Sequence, residues 1–126
     1  MNKDTIDQVV IHFYNLAKND ILIGYHFRHI KDFDSHIPKI QRFWYLVLLD
    51  LSSEEKKLII NKGVPKNIIQ SHEYLKIKVG ELNRWILLFH QTLEFYQDES
   101  PEFINTWKSE IDKFKKIFLN SKTLFH

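Results

Sequence analysis

Apolar residues near the start of the chain recur with the period of an α-helix: Ile6, Val9, Val10, Phe13, Tyr14 and Ala17 fall at i, i+3, i+4, i+7, i+8 and i+11. This spacing predicts a helix running to about Lys18, with Thr5 and Gln8 at capping-box separation at its start. Tyr14 lies on the buried stripe, so its hydroxyl requires a hydrogen-bond partner inside the protein. After Asn19-Asp20 comes the apolar segment ILIGYHFRHI, which contains Gly24 and reads as a short helix or a corner. Its inward aromatic is Phe27.

A second long helix opens at Asp34 or Ser35 and continues to about Asp50, with Pro38 in the first turn, where a missing N–H costs little. His36 shares the inward face of Ile40, Phe43, Trp44 and Val47, while Lys39 and Gln41 fall elsewhere on the wheel. A histidine so placed is more often a satisfied core or rim residue than a ligand or a gate. The stretch SSEEKKLIINKG, from Ser52 to Gly63, has capping-box spacing at Ser52 and Glu55, acidic residues early and a Lys-Gly stop.

Pro65 can start a further helix, on which Ile68, His72 and Leu75 recur on one face. Gly80 then interrupts the pattern. Leu82, Trp85, Ile86, Phe89, Leu93 and Tyr96 make the next helix strongly amphipathic. Ser100-Pro101-Glu102 opens the last one, with Ile104, Trp107, Ile111, Phe114 and Phe118 inward and fraying expected from about Asn120. No repeat, linker or low-complexity tract interrupts the chain. The expected fold is one all-α domain over residues 1–126, built from about six helices.

Composition sharpens this reading. Three glycines and three prolines are too few for a turn-rich β-sandwich, and ten Phe, five Tyr and three Trp are many rings for a core of this size. A flat ligand would need such a lining. Eighteen basic against sixteen acidic side chains provide no electrostatic argument for a nucleic-acid partner. The lack of cysteine excludes disulfides, thiolate metal sites and thioether-linked haem. No apolar signal core opens the chain and no run approaches the roughly eighteen apolar residues of a membrane span, so a cytoplasmic protein without a membrane partner is expected.

The seven histidines lack cysteine partners, and HExxH, glycine-rich phosphate loops and GxSxG are all absent. What is left is a set of inward histidines and aromatics on different helices. Such a set suits a porphyrin, because rings can pack on its faces while one imidazole binds iron and polar groups opposite meet a diatomic ligand.

The ordered pieces Phe13-Tyr14, HIPKIQRFW at 36–44, Leu48-Leu49, His72, RWILLF at 84–89 and Thr92-Leu93 resemble the truncated haemoglobins, specifically their group III. The resemblance covers most of the chain from Ile6 to Tyr96. It implies a globin-like, truncated two-over-two helical sandwich holding haem b. By the same resemblance, His72 matches the proximal histidine that ligates the iron, and Tyr14 matches the distal tyrosine that bonds the iron-bound ligand. Trp85 matches the tryptophan whose indole N–H completes the distal cluster. His36 takes the distal histidine position, where it gates entry or contacts the ligand. Phe27 resembles the phenylalanine at the porphyrin edge, and Lys39 a basic residue that pairs with a propionate. Phe43, inward on the helix of His36, joins the expected haem-binding set.

The expected function is therefore reversible binding of O₂, NO or CO, with a reductase as a possible partner and NO or peroxide chemistry as the enzymatic alternative. The segment SSEEKKLIINKGVPKNIIQ is longer than the glycine-containing stretch of group III members and stands just ahead of His72. It motivates the alternative of a globin-fold interaction or regulatory module that holds no haem.

Overall fold

A computed structural model describes residues 3–27, 33–65 and 78–120. Among these residues 81% are helical and none is in a strand, so the fold is all-α with six helices. They are α1 (Lys3–Lys18), α2 (Gly24–Phe27), α3 (Phe33–Leu48), α4 (Ser53–Lys62), α5 (Val79–Phe95) and α6 (Pro101–Leu119). The predicted helix carrying His72 falls within residues 66–77, outside the described residues.

The apolar stripe read from the first helix is the one that is buried: Ile6, Val9, Val10, Phe13, Tyr14 and Ala17 all face inward. The helix starts earlier than predicted, at Lys3, which places Thr5 inside it rather than at its cap. Asp4 in the first turn complements the positive end of the helix dipole and so favours the earlier start. The start of α5 is shifted in the same direction. Gly80 does not interrupt the chain; it lies in the first turn of α5, where the Lys78 N–H donates to Glu81 Oε1 at 2.9 Å. One acceptor thereby satisfies an N–H that the helix itself leaves unpaired.

Ser52 caps α4 as predicted, the Glu55 N–H donating to Ser52 Oγ, while the Glu55 carboxylate takes the Ser52 hydroxyl rather than the backbone N–H of a full capping box, each at 3.1 Å. Gly63 ends that helix at φ 109°, a left-handed value that costs glycine little. Its carbonyl accepts from Arg42 Nε at 2.7 Å, and the Lys62 carbonyl accepts from the same guanidinium at 3.2 Å. The polar helix α4 is thus tied to α3 by a side chain rather than by a large apolar face, since Ile59 is its buried residue.

α1 packs on α3 and on α5, and α5 packs on α6, to which it is joined by residues 96–100. Between these layers lies an aromatic core. Phe89 on α5 meets Phe13 of α1 with ring centroids 4.5 Å apart, and Trp44 of α3 and Trp107 of α6 each at 5.7 Å. Trp107 is fully buried among Trp44, Phe89 and Phe103, and its indole N–H has no hydrogen-bond partner among the described residues. An unsatisfied donor of this kind costs about 1–3 kcal/mol, which burial of one large indole can offset.

α2 is a single turn pressed against the end of α1. A Cβ added at Gly24 would meet the Lys18 carbonyl oxygen at 2.8 Å and its carbon at 3.3 Å, both backbone atoms that cannot rotate away. Gly24→Ala is expected to destabilise the protein by about 1–3 kcal/mol through this overlap. A urea midpoint equal to that of the wild type would show that the α1–α2 contact yields without cost.

Candidate functional site

Four of the residues singled out in the sequence are brought together from four helices. Tyr14 of α1 and His36 of α3 are in hydrogen-bond contact, the phenol oxygen lying 3.3 Å from Nε2. Which of the two donates follows the imidazole tautomer. The partner demanded by the buried Tyr14 hydroxyl is thus a histidine. Phe27 of α2 stands edge-on to Tyr14 at 5.5 Å between centroids and contacts Trp85 of α5 at 5.0 Å. Trp85 also stacks on Phe13 at 6.4 Å.

Helical geometry explains the grouping. His36 and Phe43 are seven residues apart on α3 and therefore share its inward face, as predicted. Phe43 belongs to a second, apolar part of the site. With Leu82, Trp85, Ile86 and Phe89 of α5 and Ile111, Phe114 and Phe118 of α6 it lines a partly open cleft holding a cavity of about 90 Å³. Trp85 is the residue shared by the two parts. On one side its ring meets Phe27 beside the Tyr14–His36 pair, and on the other it walls the cleft.

Lys39 is exposed on α3, and its side-chain stem lies beside Gly63, 3.9 Å from where a Cβ would stand. The structure therefore places it next to the end of α4. His72, the expected metal ligand, is outside the described residues, among which no cluster of three or more His, Asp or Glu could hold a metal ion.

Sequence reading passed over the polar residues that fix the α2 wall of this site. The Asp20 carboxylate accepts from the N–H groups of Leu22 and Ile23 through one oxygen. Its other oxygen takes Arg84 Nε and NH2 at 3.0 and 2.7 Å. The hydrogen bonds from Arg84 outweigh burial and, with those from Ile23 and Leu22, hold Asp20 below its usual pKa. Glu81 is the second anchor. Its Oε2 accepts from the Tyr25 hydroxyl and lies 3.1 Å from Nε2 of the buried His26. Burial opposes ionisation of Glu81, but donation by Tyr25 and the Lys78 N–H, together with the attraction and hydrogen bond of His26, holds its pKa down.

The contacts of Glu81 with Tyr25 and His26 and of Arg84 with Asp20 join residues more than fifty positions apart, so no local spacing announces them. The one available signal was Glu81 as an acid in the first turn of an amphipathic helix, which marks a helix start and nothing more.

No family model matches the chain, and neither a curated protein nor a solved structure does. No helix of the described residues is long and apolar enough to cross a membrane.

What these groups can do chemically follows from their surroundings. A phenol and an imidazole beside aromatic rings can donate hydrogen bonds to a small polar ligand in a medium that screens them weakly. The donor types and the flat apolar walls fit a porphyrin in kind.

Asp20 and Glu81 both have depressed folded-state pKa values, so their contribution to stability is present above the unfolded values of 3.8 and 4.5 and is lost as pH falls through the folded ones. In this acid range the wild type is expected to lose stability more steeply with falling pH than the Asp20→Asn, Glu81→Gln double variant. Urea midpoints measured from about pH 6 downward check this. Equal slopes would mean that neither carboxylate is ionised preferentially in the folded protein.

Proposed function

We propose that this protein binds haem b and holds O₂, NO or CO on the side facing Tyr14, in the manner of the group III truncated haemoglobins that its sequence resembles. The observation that carries the reading is the Tyr14–His36 hydrogen bond made between α1 and α3, beside a Trp85 that also walls an apolar cleft. When bound, haem supplies an iron centre that takes up a diatomic ligand and polarises it.

The chain supplies the remainder. His72, assigned by the resemblance, would hold the metal through a ring nitrogen. The Tyr14 hydroxyl would donate a hydrogen bond to the partial negative charge on the ligand, and the indole N–H of Trp85 would add a second donor. His36 orients the Tyr14 hydroxyl through the bond they share. Phe27 and Phe43 provide ring surface that keeps water out, and in a dry pocket each hydrogen bond counts for more. Lys39 is the basic residue assigned to a propionate. The setting is cytoplasmic, with a reductase as partner where NO or peroxide is turned over.

The longer segment ahead of His72 favours one other reading, a globin-fold interaction or regulatory module without haem. A ligand that binds only the folded state must stabilise it, by about 2.7 kcal/mol at a hundred times its Kd. Hemin titration of the purified chain is therefore expected to produce a Soret band and a higher Tm. Absence of both would eliminate the haem reading and leave the module. His72→Ala is expected to abolish or severely weaken hemin binding, and an unchanged proximal-imidazole spectrum in that variant would show that another residue holds the iron. Tyr14→Phe is expected to speed dioxygen release by about tenfold, the loss of one hydrogen bond to a charged acceptor. An off-rate equal to that of the wild type would remove Tyr14 from the ligand site.

A further inference from the structure

Segment 20–27 has little to hold it in place by itself. Its helix is one turn long, far short of the length at which a helix persists without tertiary support. Ile21 is 95% exposed and Leu22 57%, so the segment buries only Ile23, Gly24, His26 and Phe27. Phe27 is nevertheless the ring that covers Tyr14 and abuts Trp85. Its position must be set from outside the segment.

The first turns of α5 do this with two opposite charges three residues apart. Glu81 takes Tyr25 and His26, while Arg84 takes Asp20, so both ends of the segment are gripped by one helix. Because the Glu81 carboxylate only accepts, His26 carries its proton on Nε2. The ring of His26 also lies against that of Tyr25 at 4.1 Å, which keeps the two donors converging on one oxygen. Trp85 follows directly after Arg84, so the helix that grips the segment also carries the ring on which Phe27 rests.

We propose that Glu81 and Arg84 are positioning residues that clamp segment 20–27 onto α5 and thereby fix Phe27 as the wall beside Tyr14 and Trp85. The clamp stands on these contacts alone; its effect on ligand release rests on the haem reading. With the clamp closed, Tyr14 is covered from the α2 side. Weakening it lets the segment open locally, exposing the Tyr14–His36 pair while the aromatic core stays intact.

Hydrogen exchange on the full chain without hemin, corrected for intrinsic rates, tests the clamp directly. Glu81→Ala is expected to raise exchange at the amides of Leu22, Ile23, Gly24 and His26 about tenfold or more, while core amides of α6 keep their protection. Arg84→Ala should act on the same amides through Asp20. Tyr25→Phe, at a half-exposed ring that any fold of this chain tolerates, should give a smaller rise, and Glu81→Gln, which keeps an acceptor oxygen, should restore part of the protection. Unchanged exchange in segment 20–27 with Glu81→Ala would overturn the proposal, as would a rise shared equally by α6, which marks general destabilisation. In hemin-loaded protein, Glu81→Ala is expected to release carbon monoxide several-fold faster. Failure of hemin to bind would count against the haem reading alone, with the exchange result still deciding the clamp.

Discussion

Phe89 is the contact on which the arrangement of the helices depends. It stands on α5 and touches rings from α1, α3 and α6 at once, so the three packing partners of the domain meet at a single side chain. Aromatic pairs favour tilted and edge-on geometries, and the interplanar angles around it, 36°, 53° and 57°, fall in that range. Because interiors are close-packed, fixing one ring among three neighbours fixes the mutual rotation of their helices. Trp85 sits one turn earlier on the same face of α5. Its reach to Phe27 and to the cleft is therefore a consequence of where Phe89 is seated.

That hub separates what local pattern specifies from what it does not. The inward stripes of α1, α5 and α6 are periodic: all six positions read in α1 are buried, whereas Trp85 and Ile86 of α5 and Phe114 of α6 are only partly so, and Leu88, Thr92 and Phe103 are buried beyond the stripes their spacing predicts. The Ser52 cap and glycine stop of α4 were equally legible, because every atom involved lies within a few residues. Helix starts at Lys3 and Val79 were misplaced by two or three residues. There the deciding groups, Asp4 in one first turn and Glu81 in the other, act on backbone N–H groups without changing the apolar period.

The candidate site was legible by half. Tyr14, His36, Phe43 and Trp85 are inward by period, and the fold brings all but the apolar Phe43 to one polar edge that Phe27 covers. The pairing of Tyr14 with His36 could be anticipated only as a demand, since a buried hydroxyl requires some partner. Asp20, Tyr25, His26, Glu81 and Arg84 were illegible. Their types are those of ordinary surface residues, and only the approach of α5 to the one-turn α2 gives them a common task. Lys39 illustrates the reverse case. Its place on the wheel was correctly read as outside the inward face, and its neighbour at Gly63 belongs to a segment whose path the pattern did not define.

The segment ahead of His72 is constrained more than its polar composition suggests. Helix α4 buries little apolar area, yet Arg42 closes both of its last carbonyls from α3, one turn beyond Lys39 and less than two turns beyond His36. At the far side, residue 78 is held by the Glu81 carboxylate that also grips α2. Both points at which the chain enters and leaves residues 66–77 are therefore tied to helices that carry site residues. Arg42 fixes the entry relative to His36, and Glu81 fixes the exit relative to Trp85. A helix docked in this way is held by polar contacts at its end more than by apolar burial along its length.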